Sequence, residues 1–222
     1  PVQEEHFLRL AEFWLEARGH HCGQPDWEHL SEPDCRKFIC EKRYGEDRPS
    51  WGSYAQDHKP LLEQETIEGH AVRATLLCAG LAAAAVADTR ADYAEAAKRL
   101  WMNMTDRKMH ITGGVGAFAA DEKFGPDYVL PNDAYLETCA AAGAGFFHEN
   151  MFLLCKEGKY IDELERVLYN GVLSGISLKG DSYYYQNPLK AVNRERWDWH
   201  GCPCCPPMFL KIMAAMPRYA YA

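Results

Sequence analysis

The sequence predicts an all-α fold, and three observations predict it. Apolar residues recur at three- and four-residue steps along most of the chain, the spacing that lines one face of a helix. The run from Ala74 to Ala87 is alanine-rich and weakly polar, and reads as a buried helix. Helical segments are also separated alternately by one short turn and one long irregular loop. That layout suits a toroid of helical hairpins with functional residues on the long loops at one end.

In chain order, Phe7, Leu8, Ala11, Trp14 and Leu15 keep helical spacing up to a stop before Gly19. A polar, proline-containing stretch follows over 20–60, with helical promise only around 34–42. Leu61 to Ala87 reads as one long helix and Ala91 to Met104 as another. Asp88-Thr89-Arg90 is a short turn between them, so the two should pack as an antiparallel pair. From Ile111 to Asn132 the pattern breaks: Thr112-Gly113-Gly114-Val115-Gly116, Gly125-Pro126 and Leu130-Pro131-Asn132 mark irregular backbone. Helices resume over about 133–156 and 160–173, Tyr183-Tyr184-Tyr185 reads as a short strand, and 206–221 forms a last helix after Pro206-Pro207.

With 47% hydrophobic and 25% charged residues in 222, the composition is that of an ordinary globular protein. A formal charge of −8 argues against nucleic acid as a partner, since phosphate binding needs clustered Lys and Arg. No run reaches the roughly 18 consecutive apolar residues of a membrane span, so no membrane partner is expected. Nine irregularly spaced cysteines in a helical chain point to reactive or metal-bound thiols in a reducing, cytoplasmic setting rather than to a disulfide scaffold. Both ends, Pro1 and Ala222, read as cut from a longer protein.

Four segments carry candidate chemistry. In Cys202-Pro203-Cys204-Cys205-Pro206-Pro207, Pro206 disfavours helix at Cys205, so vicinal thiols sit just before a helix starting near Pro207. A helix N-terminus favours thiolate, although a structural turn or a vicinal disulfide also fits. Glu137-Thr138-Cys139 would complete a Cys3Glu set with Cys204 and Cys205, enough for tetrahedral zinc. Residues two apart on a regular helix point roughly 200° apart, so this set requires Glu137 and Cys139 to lie where a helix starts; Asn132 and Asp133 are nearby cap candidates. His70 lies in an alanine-rich, otherwise apolar helix, where a lone histidine is compatible with a satisfied core residue, and Arg73 and Glu68 are candidates for a buried ion pair. Asp121 and Glu122 fall in the glycine-rich loop and gain meaning only if that loop folds over the thiols.

Together these segments resemble glycoside hydrolase family 127. Gln56-Asp57-His58-Lys59-Pro60, Glu63-Gln64 and Gly69-His70-Ala71-Val72-Arg73-Ala74 are similar to its Q-D-H-x-P…E-Q…G-H-A-V-R-A stretch. Ile111-Thr112-Gly113-Gly114-Val115-Gly116, Leu130-Pro131-Asn132, Glu137-Thr138-Cys139-Ala140, Glu165-Arg166, Leu168-Tyr169-Asn170-Gly171, Tyr185, Asn187-Pro188-Leu189 and Cys204-Cys205-Pro206 continue the match in order.

The resemblance implies an (α/α)6 barrel, of which this chain would be roughly the second half. Earlier helices and following β-sandwich modules would lie outside it, and a homo-oligomer could form through those modules. It implies a retaining β-L-arabinofuranosidase acting on arabinose-containing oligosaccharides or glycans. In that family pattern Cys204 is the nucleophile and Glu122 the acid/base. Glu137, Cys139, Cys204 and Cys205 hold Zn2+, and His70, Glu165 and Tyr185 contact the sugar. The chain has one residue fewer than the family pattern between Glu122 and Glu137, at Asp133-Ala134-Tyr135-Leu136, which makes Asp121 a competitor for the acid/base role. Two readings of other classes stand beside this one. One is a non-catalytic zinc-stabilised helical domain, the other a sugar epimerase on a similar barrel using His58 and His70.

Overall fold

The computed structural model describes residues 5–20 and 52–221. The expected all-α class holds: six α-helices account for nearly all regular structure among the described residues. They are α1 (Glu5–Ala17), α2 (Ala71–Asp88), α3 (Ala91–Asn103), α4 (Thr138–Cys155), α5 (Gly158–Val167) and α6 (Cys205–Tyr221). Two short strands, β1 (Ser182–Tyr183) and β2 (Trp197–Asp198), pair antiparallel with Tyr183 opposite Trp197. The helical promise around 34–42 lies outside the described residues.

The architecture is organised around α4, which packs against α2, α3, α5 and α6. Its first ten residues, from Thr138 to Phe147, are all buried. Small side chains make this possible by letting backbones approach closely. A Cβ at Gly143 would lie 2.3 Å from Thr75 Oγ1 on α2, so only glycine fits that crossing. Helix α2 is long and apolar enough to qualify as a membrane span by composition, but half of it is buried inside the molecule and it serves as the core partner of α4. Around this pair gather Leu81, Tyr93, Leu100, Met104, Phe147 and Ile212, all almost fully buried.

Three helix starts differ from the sequence expectation. The predicted helix from Leu61 is a single 3-10 turn (Leu61–Glu63), and α2 begins only at Ala71. Gly69 explains the delay. It has φ +76, and a Cβ there would meet Ser53 O at 1.8 Å, so the backbone leaves the helical region at that point. The predicted helix from 133 begins at Thr138, because Leu136 has φ 44 and Glu137 is extended. The last helix begins at Cys205, two residues before Pro207, with Cys204 O accepting from Met208 N–H at 3.3 Å. Pro206 and Pro207 then fall in the first turn, where a missing N–H costs nothing.

Helices α3 and α5 each run on into a wider, π-type turn, Met104–Lys108 and Leu168–Val172. The expected Tyr183–Tyr185 strand is β1 shifted by one residue, and its continuation reaches α4: Gln186 forms an isolated antiparallel bridge with Glu137. Thr138 N–H donates to Tyr185 O (3.0 Å) and Asn187 N–H to Leu136 O (2.9 Å). The glycine-rich loop returns to the start of α2, where Phe124 N–H donates to Gly69 O (2.9 Å) and Lys123 bridges His70.

Candidate metal centre and active site

Glu137 is the N-cap residue of α4, with φ −64 and ψ 138. This resolves the spacing problem. An extended Glu137 followed by a helical Cys139 can aim both side chains at one point, which two positions within a regular helix cannot. The bridge to Gln186 fixes Glu137, and a chain of bonds fixes Thr138. Asn187 Nδ2 donates to Thr138 Oγ1 (2.7 Å), which donates to Tyr184 O (2.6 Å).

From the other side, the turn before α6 delivers Cys204, and the first residue of α6 is Cys205, helical despite the proline that follows it. One donor atom each from Glu137, Cys139, Cys204 and Cys205 lie within 4.8 Å of one another. Cys139 Sγ is 3.2 Å from Cys205 Sγ, and Cys204 Sγ is 3.6 Å from Cys205 Sγ. Glu137 Oε1 is 3.7 Å from Cys204 Sγ and 3.9 Å from Cys205 Sγ. Tyr183, Trp199, Val72 and Met208 pack around the buried thiols. Glu137 Oε2 is buried with no partner, an expense that a native fold seldom leaves uncompensated. Three sulfurs and a carboxylate are a donor set that could hold one metal ion.

The electrostatics single out Cys204. Hydrogen bonds from the Cys139 thiol, then from the Cys205 thiol, hold it far below the ordinary thiol range despite burial. Glu137 is pushed up to about 8, first by burial and then by the like charge of Glu122. Cys78, Cys139, Cys155, Cys202, Cys204 and Cys205 are free thiols.

Glu122 arrives on the glycine-rich loop with φ 50, a left-handed backbone. Its Oε2 lies 2.9 Å from His70 Nε2, and its Oε1 accepts from Tyr135 OH (2.8 Å) and Tyr185 OH (3.3 Å). His70 is not inside a helix but caps α2, where its Nδ1 accepts from Arg73 N–H at 3.4 Å. With Nδ1 accepting, the proton of the neutral ring sits on Nε2 and points at Glu122. Burial, opposed in part by Glu122, lowers the His70 pKa and favours that neutral ring. Tyr185 joins the two halves, since its hydroxyl also lies 3.7 Å from Cys204 Sγ.

Other candidates lie elsewhere. Asp121 points to solvent and pairs with Lys123 Nζ at 3.4 Å. Glu165 is exposed on α5 and does not join the group. His58 is exposed, whereas His70 is partly buried beside Glu122, Arg73 and Tyr54. Two residues escaped the sequence reading. Tyr135 sits in the shortened segment, where no spacing marks it. Cys202 Sγ lies 3.3 Å from Cys204 Sγ, and its place two residues before Cys204 was a usable signal.

Known proteins resemble this chain in sequence and in fold. A family model described as the β-L-arabinofuranosidase, GH127 catalytic domain, matches residues 2–218. A non-reducing end β-L-arabinofuranosidase of Bifidobacterium longum is 39% identical over 182 residues, covering 76% of this chain and 28% of that protein. Among solved structures, the GH127 β-arabinofuranosidase BT3674 is 37% identical with a TM-score of 0.80, covering 98% of this chain and 30% of the other. Ara127N, a GH127 β-L-arabinofuranosidase from Geobacillus stearothermophilus T6, is 36% identical with a TM-score of 0.83, covering 100% and 36%. The chain thus spans about a third of the length of these relatives.

Proposed function

Because this chain belongs to the GH127 β-L-arabinofuranosidase catalytic-domain family and its helices are part of that family's helical barrel, we propose that it carries the reaction centre of a retaining glycoside hydrolase. The substrate is a β-L-arabinofuranosyl group at the end of an arabinose-containing glycan. The observation that carries this reading is Tyr185, whose one hydroxyl touches both Cys204 Sγ and Glu122 Oε1. A sulfur nucleophile and a carboxyl acid so bridged can flank a single glycosidic bond.

The metal is zinc on this reading. Around a tetrahedral zinc with Zn–S of about 2.3 Å, sulfur pairs lie about 3.8 Å apart and sulfur–oxygen pairs slightly closer. The observed separations of 3.2 to 3.9 Å bracket those values. The unpartnered Glu137 Oε2 marks the place where a cation would relieve a buried carboxylate. When bound, zinc supplies the positive charge that keeps the thiols deprotonated at neutral pH.

The chain's own residues then divide the work. Cys204 Sγ attacks the anomeric carbon, forming a C–S bond as the glycosidic C–O bond breaks, while Glu122 gives its proton to the departing oxygen. Glu122, now a carboxylate, takes a proton from water as that water attacks the same carbon, and Cys204 leaves as thiolate. Two inversions give retention. Tyr135 and Tyr185 hydroxyls can donate to or accept from Glu122, so one network suits both of its protonation states. His70 Nε2–H orients the carboxyl from the far side.

The test uses the full-length protein. One zinc per chain by elemental analysis, a first-formed product of β configuration by NMR, and loss of turnover in Cys204→Ser together support the reading. Near-normal turnover by Cys204→Ser ends it.

A further inference from the structure

The thiol centre is flanked by a second concave surface that the proposed chemistry does not use. The β1–β2 hairpin brings Trp197 over Tyr185, the rings stacked with centroids 4.8 Å apart and planes inclined by 26°. The indole is nevertheless 45% exposed. A large apolar ring is thus held at the surface by Tyr185, Tyr183 and Gly201 with nearly half of its area open, an arrangement that marks binding surfaces. Against it lies a cleft of about 160 Å³, lined by Tyr184, Tyr185, Gln186, Arg194, Glu195 and Trp197. A water takes about 30 Å³ of liquid volume, so the cleft holds about five waters, roughly the room of one sugar ring.

We propose that this cleft binds the sugar unit on the leaving-group side of the scissile bond, stacked on Trp197. The inference rests on the glycosidase reading above. Tyr185 sets the direction. Its hydroxyl stands at the reacting atoms, touching Cys204 and Glu122, while its ring is the floor under Trp197. A group that departs with the proton of Glu122 therefore leaves across Tyr185 towards the indole.

The lining sets the ligand's chemistry. A sugar presents an apolar C–H face to an aromatic plane and a rim of hydroxyls to donors and acceptors. Gln186, Arg194 and Glu195 supply both kinds. Arg194 Nη1 donates to Gln186 Oε1, and with Glu195 the lining holds one cation and one carboxylate, so it carries no net charge that would favour an anion. The occupant is a neutral pentose or hexose unit rather than a phosphorylated or acidic one.

The full-length enzyme is assayed on a β-L-arabinofuranosyl disaccharide and on methyl β-L-arabinofuranoside, whose leaving group is too small to reach the indole. In Trp197→Ala the ratio of kcat/KM for the disaccharide to that for the methyl glycoside should fall about three- to tenfold, mostly through KM, the range expected for losing one aromatic stacking partner. Trp197→Phe should restore most of the ratio. Glu195→Gln, on the exposed rim, should lower it about two- to fivefold and reads the cleft independently if Trp197→Ala fails to fold. A ratio unmoved in both variants overturns the inference. So does an equal fall on both substrates, which would mean that the indole only props Tyr185. A parent enzyme that cleaves neither glycoside overturns the hydrolase reading itself, whereas one that cleaves both with unmoved ratios overturns only the cleft.

Discussion

Glu122 and His70 are 52 positions apart in sequence, yet Glu122 Oε2 and His70 Nε2 lie 2.9 Å apart. The contact depends on a helix that starts late. Were α2 to begin at Leu61, His70 would sit mid-helix, with its backbone committed and its Nδ1 unable to cap Arg73. As the N-cap residue it spends one ring nitrogen on the helix and turns the other to the loop carboxyl.

This pairing separates Glu122 from its neighbour. Glu122→Gln should lower kcat about 10²- to 10⁴-fold, the usual worth of a general acid/base. Asp121→Asn, which removes only an exposed pair with Lys123, should stay within about twofold. Steady-state kinetics of the two variants in the full-length protein decide between them; the reverse ranking would move the acid/base role to Asp121.

Tyr185→Phe tests the bridge between sulfur and carboxyl. It removes the hydroxyl's contacts to Cys204 at 3.7 Å and Glu122 at 3.3 Å, with its hydrogen bond to Glu137, and leaves the ring under Trp197 in place. We expect kcat/KM to fall about ten- to a hundredfold with metal content unchanged. Elemental analysis beside kinetics checks this, since a fall in bound metal would show that Tyr185 instead supports the donor set.

The pH dependence of metal uptake follows from Glu137. Without a cation beside it, burial first and the Glu122 charge second push its carboxyl up to about 8 from 4.5. A folded-state value above the unfolded one means that ionisation favours unfolding, so stability is fully present below about 4.5 and is lost as pH rises towards about 8. A bound cation requires the carboxylate, so uptake releases this proton and affinity rises up to about tenfold per pH unit below 8 from this group alone. Calorimetry in buffers of different ionisation enthalpy reads the released protons, and thermal melts of chelated protein read the stability slope. A chelated protein that grows more stable from pH 5 to 8 contradicts the prediction.

Two glycines on packed helices should respond in opposite directions to the same substitution. Gly143→Ala places a methyl 2.3 Å from Thr75 Oγ1 at the α2–α4 crossing and should cost about 1–3 kcal/mol by overpacking. Gly80→Ala on the exposed side of α2 meets nothing within 4 Å and should stabilise by about 0.5–1 kcal/mol through helix propensity. Chemical denaturation of both variants checks the pair.

The helices were legible because periodicity and alanine content are local signals, and α3 and α6 fall close to where the residues put them. Their starts were less so. At Gly69 and Leu136 the backbone enters left-handed conformations, held by hydrogen bonds from distant segments, Phe124 N–H to Gly69 O for the first and Asn187 N–H to Leu136 O for the second. Spacing alone left the donor set ambiguous, since the set closes only if a helix starts at Glu137 and Cys139, which spacing cannot decide. An extended N-cap removes the conflict, but the partner that holds it extended lies some 50 residues downstream. Tyr135 was invisible for the same reason: only the folded loop turns its hydroxyl towards Glu122.

The contact between Cys139 and Cys205 closes a span of 66 residues. Between those ends lie α5, the hairpin and Trp197, and the segment after β1 is tied to the start of α4 by the Gln186 bridge and by Thr138, which bonds Tyr184 O and Tyr185 O. Whatever clasps the sulfurs and the carboxylate therefore also buckles this span like a belt. Stripping it away would disarm the proposed nucleophile and, in the same event, slacken the platform proposed for the departing sugar.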